Sequence, residues 1–167
     1  RLRNIAGVLK ERISNIDIEA DVNGLVCVFV AKRRLDWSEI REIVESVKSQ
    51  FESFVVRFGM EELVSVGRKT ISLPISEKPQ IILKVPVGSF SQVNSAVNVK
   101  LVDEVVRISS DGGATNALDL YSGAGNFSIP LAVSGLRVTA VETNPALVGC
   151  GRENARELGV EHKLNFV

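Results

Sequence analysis

The stretch Asp119-Leu-Tyr-Ser-Gly-Ala-Gly-Asn-Phe-Ser-Ile-Pro-Leu-Ala132 decides the fold. An apolar strand, read over Asn116 to Tyr121, runs into a turn with two glycines and leaves it as a helix, read over Asn126 to Val133. Gly123 and Gly125 permit a sharp reversal and a close approach of backbone to a ligand, because neither carries a Cβ. In open α/β proteins such a turn, at the carboxyl end of a strand, is where adenine-containing cofactors bind.

Toward the C-terminus, Ser134-Gly135 stops the helix and Arg137 to Glu142 reads as the next strand. Pro145 then opens a helix at a favoured first-turn position, and Gly159 terminates it after Leu158. Lys163 to Val167 is a last strand. On the N-terminal side, Ser89 or Ser91 caps a helix whose apolar face is Val93, Val97, Leu101, Val105 and Ile108, ended by Asp111-Gly112-Gly113. Short apolar strands alternating with helices predict a parallel, doubly wound sheet, with three of its strands in this chain. The fold class is α/β, the first half of a Rossmann-like sheet.

Ahead of Pro86-Val-Gly88 the pattern changes to a small α+β domain. Leu25 to Ala31 is a β-branched strand after the Asn23-Gly24 turn. Asp36 or Ser38 caps a helix that puts Ile40, Ile43, Val44, Val47 and Phe51 on one face. Short strands follow at 54–58, 63–66, 70–73 and 81–85, predicting a mostly antiparallel sheet with one helix on a face. The expected division is therefore 1–85 and 86–167. Trp37, at the helix start, reads as a packing anchor.

Composition narrows the function classes. Twenty basic and twenty acidic residues give no net charge, so the bulk field carries no nucleic-acid signature. Arg1, Arg3, Lys32, Arg33, Arg34, Arg68 and Lys69 either contact RNA phosphates or form an ordinary solvated face, and the zero net charge favours the latter. The two cysteines, Cys27 and Cys150, are far apart and supply no disulfide framework or metal cluster. Both read as packing residues in a reducing, cytoplasmic protein. The only histidine, His162, reads as solvated. No apolar run approaches the roughly 20 residues of a membrane span, and no signal peptide is read. The first residue is Arg1 rather than Met, so the chain is expected to be a piece of a longer protein.

The glycine turn differs from a dinucleotide site. Ser128 occupies the third glycine position of GxGxxG, and that breaks the pyrophosphate-binding fingerprint. S-adenosylmethionine (AdoMet) has no pyrophosphate and needs no third glycine. Glu142 ends the second strand seventeen residues after Gly125. The acid that grips ribose hydroxyls sits about 20 residues past such a turn, and a carboxylate can take two hydroxyls at once. Asp119 lies within an otherwise apolar strand, where an unpaired carboxylate is costly. It either holds loop N–H groups or meets the cofactor's amino group. Phe90 has a ring that can stack on a base or on adenine, and Gln92 an amide that donates and accepts. Taken alone, that segment is a capped helix start without chemistry.

The runs Gly88-Ser-Phe-Ser-Gln-Val-Asn94, Asp119 to Ala132, Val141-Glu-Thr-Asn144 and Asn154-Ala155 together resemble the RNA uracil-5-methyltransferase family, which methylates uridine in tRNA and ribosomal RNA. The likeness is strong over residues 86 to 167. Over the first half it is one of general pattern, where it matches the family's central domain. It implies that the α/β part is the first half of an AdoMet-dependent methyltransferase sheet. It implies that Gln92 touches AdoMet or the target base and that Phe90 lies beside a flipped uracil. Tyr121 and Asn126 line the cofactor loop, and Glu142 takes the ribose hydroxyls. Ser122 departs from the Cys of many relatives, a change of little expected effect.

The same resemblance places a further cofactor acid in an Asp-Pro-Pro-Arg motif, then a nucleophilic Cys and a general-base Glu, all beyond the third strand. None occurs in these 167 residues, and neither does the family's four-Cys cluster motif. Uracil carbon-5 reacts poorly with a methyl donor until a thiolate adds at carbon-6, so the isolated chain is expected to be inactive. Two rival readings stand beside this one. The first is an AdoMet RNA methyltransferase acting on another base position, which needs no Cys. The second is a non-catalytic remnant that binds RNA or cofactor. A dehydrogenase is the weakest option, because Ser128 breaks the NAD fingerprint.

Overall fold

A computed structural model of the chain describes residues 2–21, 23–89, 92 and 94–167, with side chains from Gly7 onward. It forms two compact units, Arg1–Ile71 and Ser72–Val167.

The first unit carries helix α1 (Leu2–Arg12), strands β1 (Ile13–Asp21) and β2 (Gly24–Ala31), helix α2 (Trp37–Val47), and strands β3 (Phe54–Phe58) and β4 (Glu61–Val66). The sheet order is β1-β2-β3-β4. The outer pairs are antiparallel, but β2 and β3 run parallel with α2 as their crossover. The sheet is thus mostly antiparallel, as expected, with one parallel pair at its centre, and two helices rather than one accompany it. The parallel pair follows from chain length: antiparallel neighbours close with a tight turn, whereas the segment from Lys32 to Ser53 is long enough for a helical return. Leu9, Phe29, Ile40, Ile43, Val47, Phe54 and Val56 build the core.

Helix α2 starts where its sequence signals. The Asp36 carboxylate accepts from Ser38 N at 2.9 Å and Glu39 N at 3.0 Å, and Glu39 Oε2 accepts from Asp36 N at 3.1 Å. This reciprocal capping box satisfies donors that the first turn leaves free. Trp37 does not anchor anything: it is 76% exposed. The cap aims the first helical residue at solvent, while Ile40 and Ile43 face the sheet.

The second unit continues with β5 (Thr70–Glu77) and β6 (Gln80–Pro86), which pair as a two-stranded ribbon. It then adds α3 (Ser95–Asp111), β7 (Asn116–Leu120), α4 (Ser128–Val133), β8 (Arg137–Val141), α5 (Pro145–Glu157) and β9 (Leu164–Phe166). Strands β7, β8 and β9 form a parallel sheet in that order. Burial alternates along it. Val138, Ala140, Leu164 and Phe166 are buried on one face, whereas Leu118, Leu120, Arg137 and Asn165 are exposed on the other. The ribbon, expected in the first layer, groups with this second unit. Its tie is Asn154 of α5, whose amide accepts from Lys84 N at 3.0 Å and donates to Lys84 O at 2.9 Å.

Helix α3 departs from expectation twice. Its cap is Asn94, accepting from Val97 N at 3.1 Å, and not Ser89, while Ser91 and Val93 lie outside the described residues. Its inward residues are Asn98 and Val102, while Val97, Leu101 and Ile108 are exposed. One residue of helix turns the side chain by about 100°, so the inward stripe sits one step from the apolar one. Cys27 and Cys150 are both buried free thiols, as their packing role requires, and burial raises the pKa of each. No helix among the described residues is long and apolar enough to cross a membrane.

Candidate cofactor-binding site

The loop from Tyr121 to Phe127 leaves β7 through three left-handed residues, Tyr121 at φ 60°, Gly123 at φ 59° and Gly125 at φ 102°. The two glycines take these angles freely. Tyr121 takes one at a steric cost, and strain of that kind concentrates at functional sites. A Cβ on Gly125 would stand 2.5 Å from Ile129 Cγ1, so the close approach of loop to α4 needs the bare α-carbon.

Gln92, Tyr121, Gly123 and Asn126 converge on one cavity of about 160 Å³. Leu73, Pro74, Ile75, Leu83 and Val85 from the ribbon make its apolar wall. Ser122, Asn98 and Ser95 complete the polar side. The Ser122 hydroxyl is buried without a hydrogen-bond partner among the described residues. Tyr121 is 92% exposed at the rim.

Glu142 is not among the residues lining that cavity, but it is bonded to Gly123, which is. Its Oε2 accepts from Gly123 N at 3.1 Å, and its Oε1 accepts from Thr143 N and Asn144 N at 2.8 Å each. One carboxylate thus joins the loop after β7 to the loop after β8. Asp119 is not at the cavity. It is half-buried in β7, and its carboxylate accepts from the Ser128 hydroxyl and backbone N–H. The N–H it holds is that of Ser128, the first residue of α4. Burial raises its pKa, opposed by those two hydrogen bonds. Ser128, which breaks the dinucleotide fingerprint, is therefore the partner that a buried carboxylate needs. Phe90 lies outside the described residues.

One residue at the site, Asn98, was not singled out from sequence, and Asn154 entered only as part of a motif with no role given to it. Asn98 and Asn126 pair reciprocally, with Nδ2 to Oδ1 distances of 2.8 and 3.1 Å. Asn154, 2% exposed, adds to its Lys84 bonds a donation to Ala124 O at 3.2 Å, and so ties the glycine loop to the ribbon. The signal for both was a polar residue at an inward helical position. His162 is exposed, far from the loop in sequence and outside the cavity lining. Among the described residues, no three His, Cys, Asp or Glu side chains converge.

A sequence model of the tRNA (Uracil-5-)-methyltransferase family matches residues 5–163. The chain belongs to this family. It is 32% identical over 149 residues to the 23S rRNA (uracil(1939)-C(5))-methyltransferase RlmD of Shewanella sediminis, covering 89% of this chain and 33% of that protein. It is 31% identical over 163 residues to the tRNA/tmRNA (uracil-C(5))-methyltransferase of Nitratiruptor sp., covering 96% of this chain and 44% of that protein. The chain therefore spans a third to under a half of the length of these curated relatives. In fold it is similar to the Pyrococcus abyssi tRNA (uracil-54, C5)-methyltransferase crystallised with S-adenosyl-L-homocysteine. The TM-score is 0.73 at 19% identity, over 99% of this chain and 44% of that one.

Proposed function

We propose that this chain is the cofactor-holding part of an AdoMet-dependent methyltransferase that modifies carbon-5 of uridine in tRNA or ribosomal RNA. The observation that carries the reading is Glu142. Its carboxylate stands at the end of β8 and is fixed by three backbone N–H groups, one of them from the glycine turn of β7. A carboxylate so held keeps its orientation and still has a lone pair for a ribose hydroxyl.

The residues fit AdoMet. The orphaned hydroxyl of Ser122 lines the cavity wall and lacks the partner that a buried polar group requires. The apolar wall of Leu73, Ile75, Leu83 and Val85 excludes water from the opposite side. Glu142 would take the ribose hydroxyls. Gln92, Tyr121 and Asn126 would line the remaining contacts, with Gly123 and Gly125 giving the backbone room. Asp119 acts from β7, holding Ser128 and with it the start of α4. AdoMet supplies the methyl group. Phe90 and Gln92 are proposed neighbours of the target base.

The two units would then be the family's central domain and the first half of its cofactor domain. The RNA is the partner, and the compartment is the cytoplasm. The test uses the protein that carries this chain. It is incubated with methyl-labelled AdoMet and unmodified tRNA or ribosomal RNA, and the RNA is digested to nucleosides. Label in 5-methyluridine is the expected outcome. Label in another nucleoside would replace this reading with methylation of a different base position.

A further inference from the structure

We infer that Asn98 is a positioning residue for the cofactor loop, acting through Asn126. The inference rests on the proposed reading of the cavity as the AdoMet site. Each amide donates to the carbonyl of the other, at 2.8 and 3.1 Å. In such a closed pair, turning one amide over would set donor against donor and carbonyl against carbonyl. Neither side chain can flip alone. Asn126 is on a loop with two glycines, whereas Asn98 is 7% exposed on a seventeen-residue helix. The helix therefore holds the loop amide, and the edge that Asn126 turns to the cavity is set from α3.

Packing does not explain this arrangement. Helix α3 leaves Val97, Leu101 and Ile108 exposed at 57%, 47% and 56%, and turns an amide inward. A helix chosen for stability alone would bury that apolar stripe. Burying an amide is tolerated only when its hydrogen bonds are made, and the partner that makes them here is a loop residue lining the same cavity. Departures from apolar patterning of this sort gather at functional sites. Asn98 lines the same cavity, so one helix sets two of its amides, Asn98 directly and Asn126 through the pair.

The test is a double-mutant cycle read by calorimetric titration of S-adenosylhomocysteine into the chain. Asn98→Ala should weaken binding roughly tenfold, a coupling of the size seen between directly bonded side chains. In an Asn126→Ala background the same substitution should change affinity by less than about twofold. Asn98→Asp keeps size but replaces the donors with an acceptor and a negative charge facing the Asn126 carbonyl, and should weaken binding in the same direction even if the alanine variant folds poorly. Unchanged affinity in Asn98→Ala, or an equal loss in both backgrounds, would show a purely structural residue and overturn the inference. No binding by the unsubstituted chain would overturn it together with the reading of the cavity.

Discussion

Glu142 Oε2 accepts the backbone N–H of Gly123 at 3.1 Å, so the acid at the end of β8 holds the turn at the end of β7. Adjacent parallel strands bring these two ends side by side, with Leu120 in register with Val141. Nineteen residues of chain separate the pair, and the sheet removes that separation. Glu142→Gln replaces one acceptor oxygen by a donor, which must then face an N–H of Gly123, Thr143 or Asn144. A stability loss of about 1–3 kcal/mol is expected. Hydrogen exchange of the Gly123 amide should accelerate selectively, while exchange in β2 and β3 of the first unit stays unchanged.

Gly125→Ala tests the turn itself. At φ 102° an L side chain is strained, and its Cβ would meet Ile129 at 2.5 Å. Strain and overpacking together should cost about 2–4 kcal/mol. Urea denaturation should show the midpoint falling with little change in slope. Gly149→Ala is the control, since a Cβ there meets nothing within 4 Å.

Asp119 gives the stability a pH dependence. Its pKa in the folded chain is raised by burial above the ordinary 3.8, so the native state holds the proton longer than the unfolded one. The contribution to stability is full below the unfolded value. It is lost as pH rises through the folded pKa. Asp119→Asn removes this titration. Subtracting its unfolding free energy from that of the unsubstituted chain should give a difference that falls as pH climbs from about 3 toward neutrality. A flat difference would contradict the assignment. Glu39 works in the opposite sense. Hydrogen bonds from Arg33 hold its pKa down at about 2, so its contribution is present above the ordinary 4.5 and fades as pH falls toward 2.

Asn154 is the amide that joins the ribbon, α5 and the glycine loop. Asn154→Leu keeps the volume and strands the N–H and carbonyl of Lys84. A loss of about 2–4 kcal/mol is expected from the orphaned backbone groups. Thermal unfolding should register it. Asn154→Asp should be at least as damaging, because a carboxylate would face the carbonyls of Lys84 and Ala124.

Most of the second unit was legible because its signals are local. The strand ending at Leu120, the Pro145 start and the Gly159 stop each follow from residues within a turn of the boundary. The positions of Glu142 and the glycine loop were legible for the same reason. The inward face of α3 was not, because it is set by a partner, Asn126, that lies 28 residues away. Strand β1 was missed although Ile16, Ile18 and Ala20 alternate with Asp17 and Glu19, and the structure turns that apolar face outward, with Ile16 and Ile18 exposed at 44% and 64%. Trp37 was misread because a large aromatic at a capped helix start resembles an anchor, and only the cap geometry shows it facing solvent. The pairing of Asp119 with Ser128 was half-legible: the sequence showed a carboxylate needing a partner, but not which one.

The most direct test of the central claim is calorimetric titration of S-adenosylhomocysteine into the chain and into its Glu142→Gln variant. The account predicts one site on the chain and an affinity lowered on the order of 10-fold or more in the variant, the size of a lost hydrogen bond to a charged group. Equal binding by both, or none by either, would contradict the assignment of Glu142 and the glycine loop as a cofactor site.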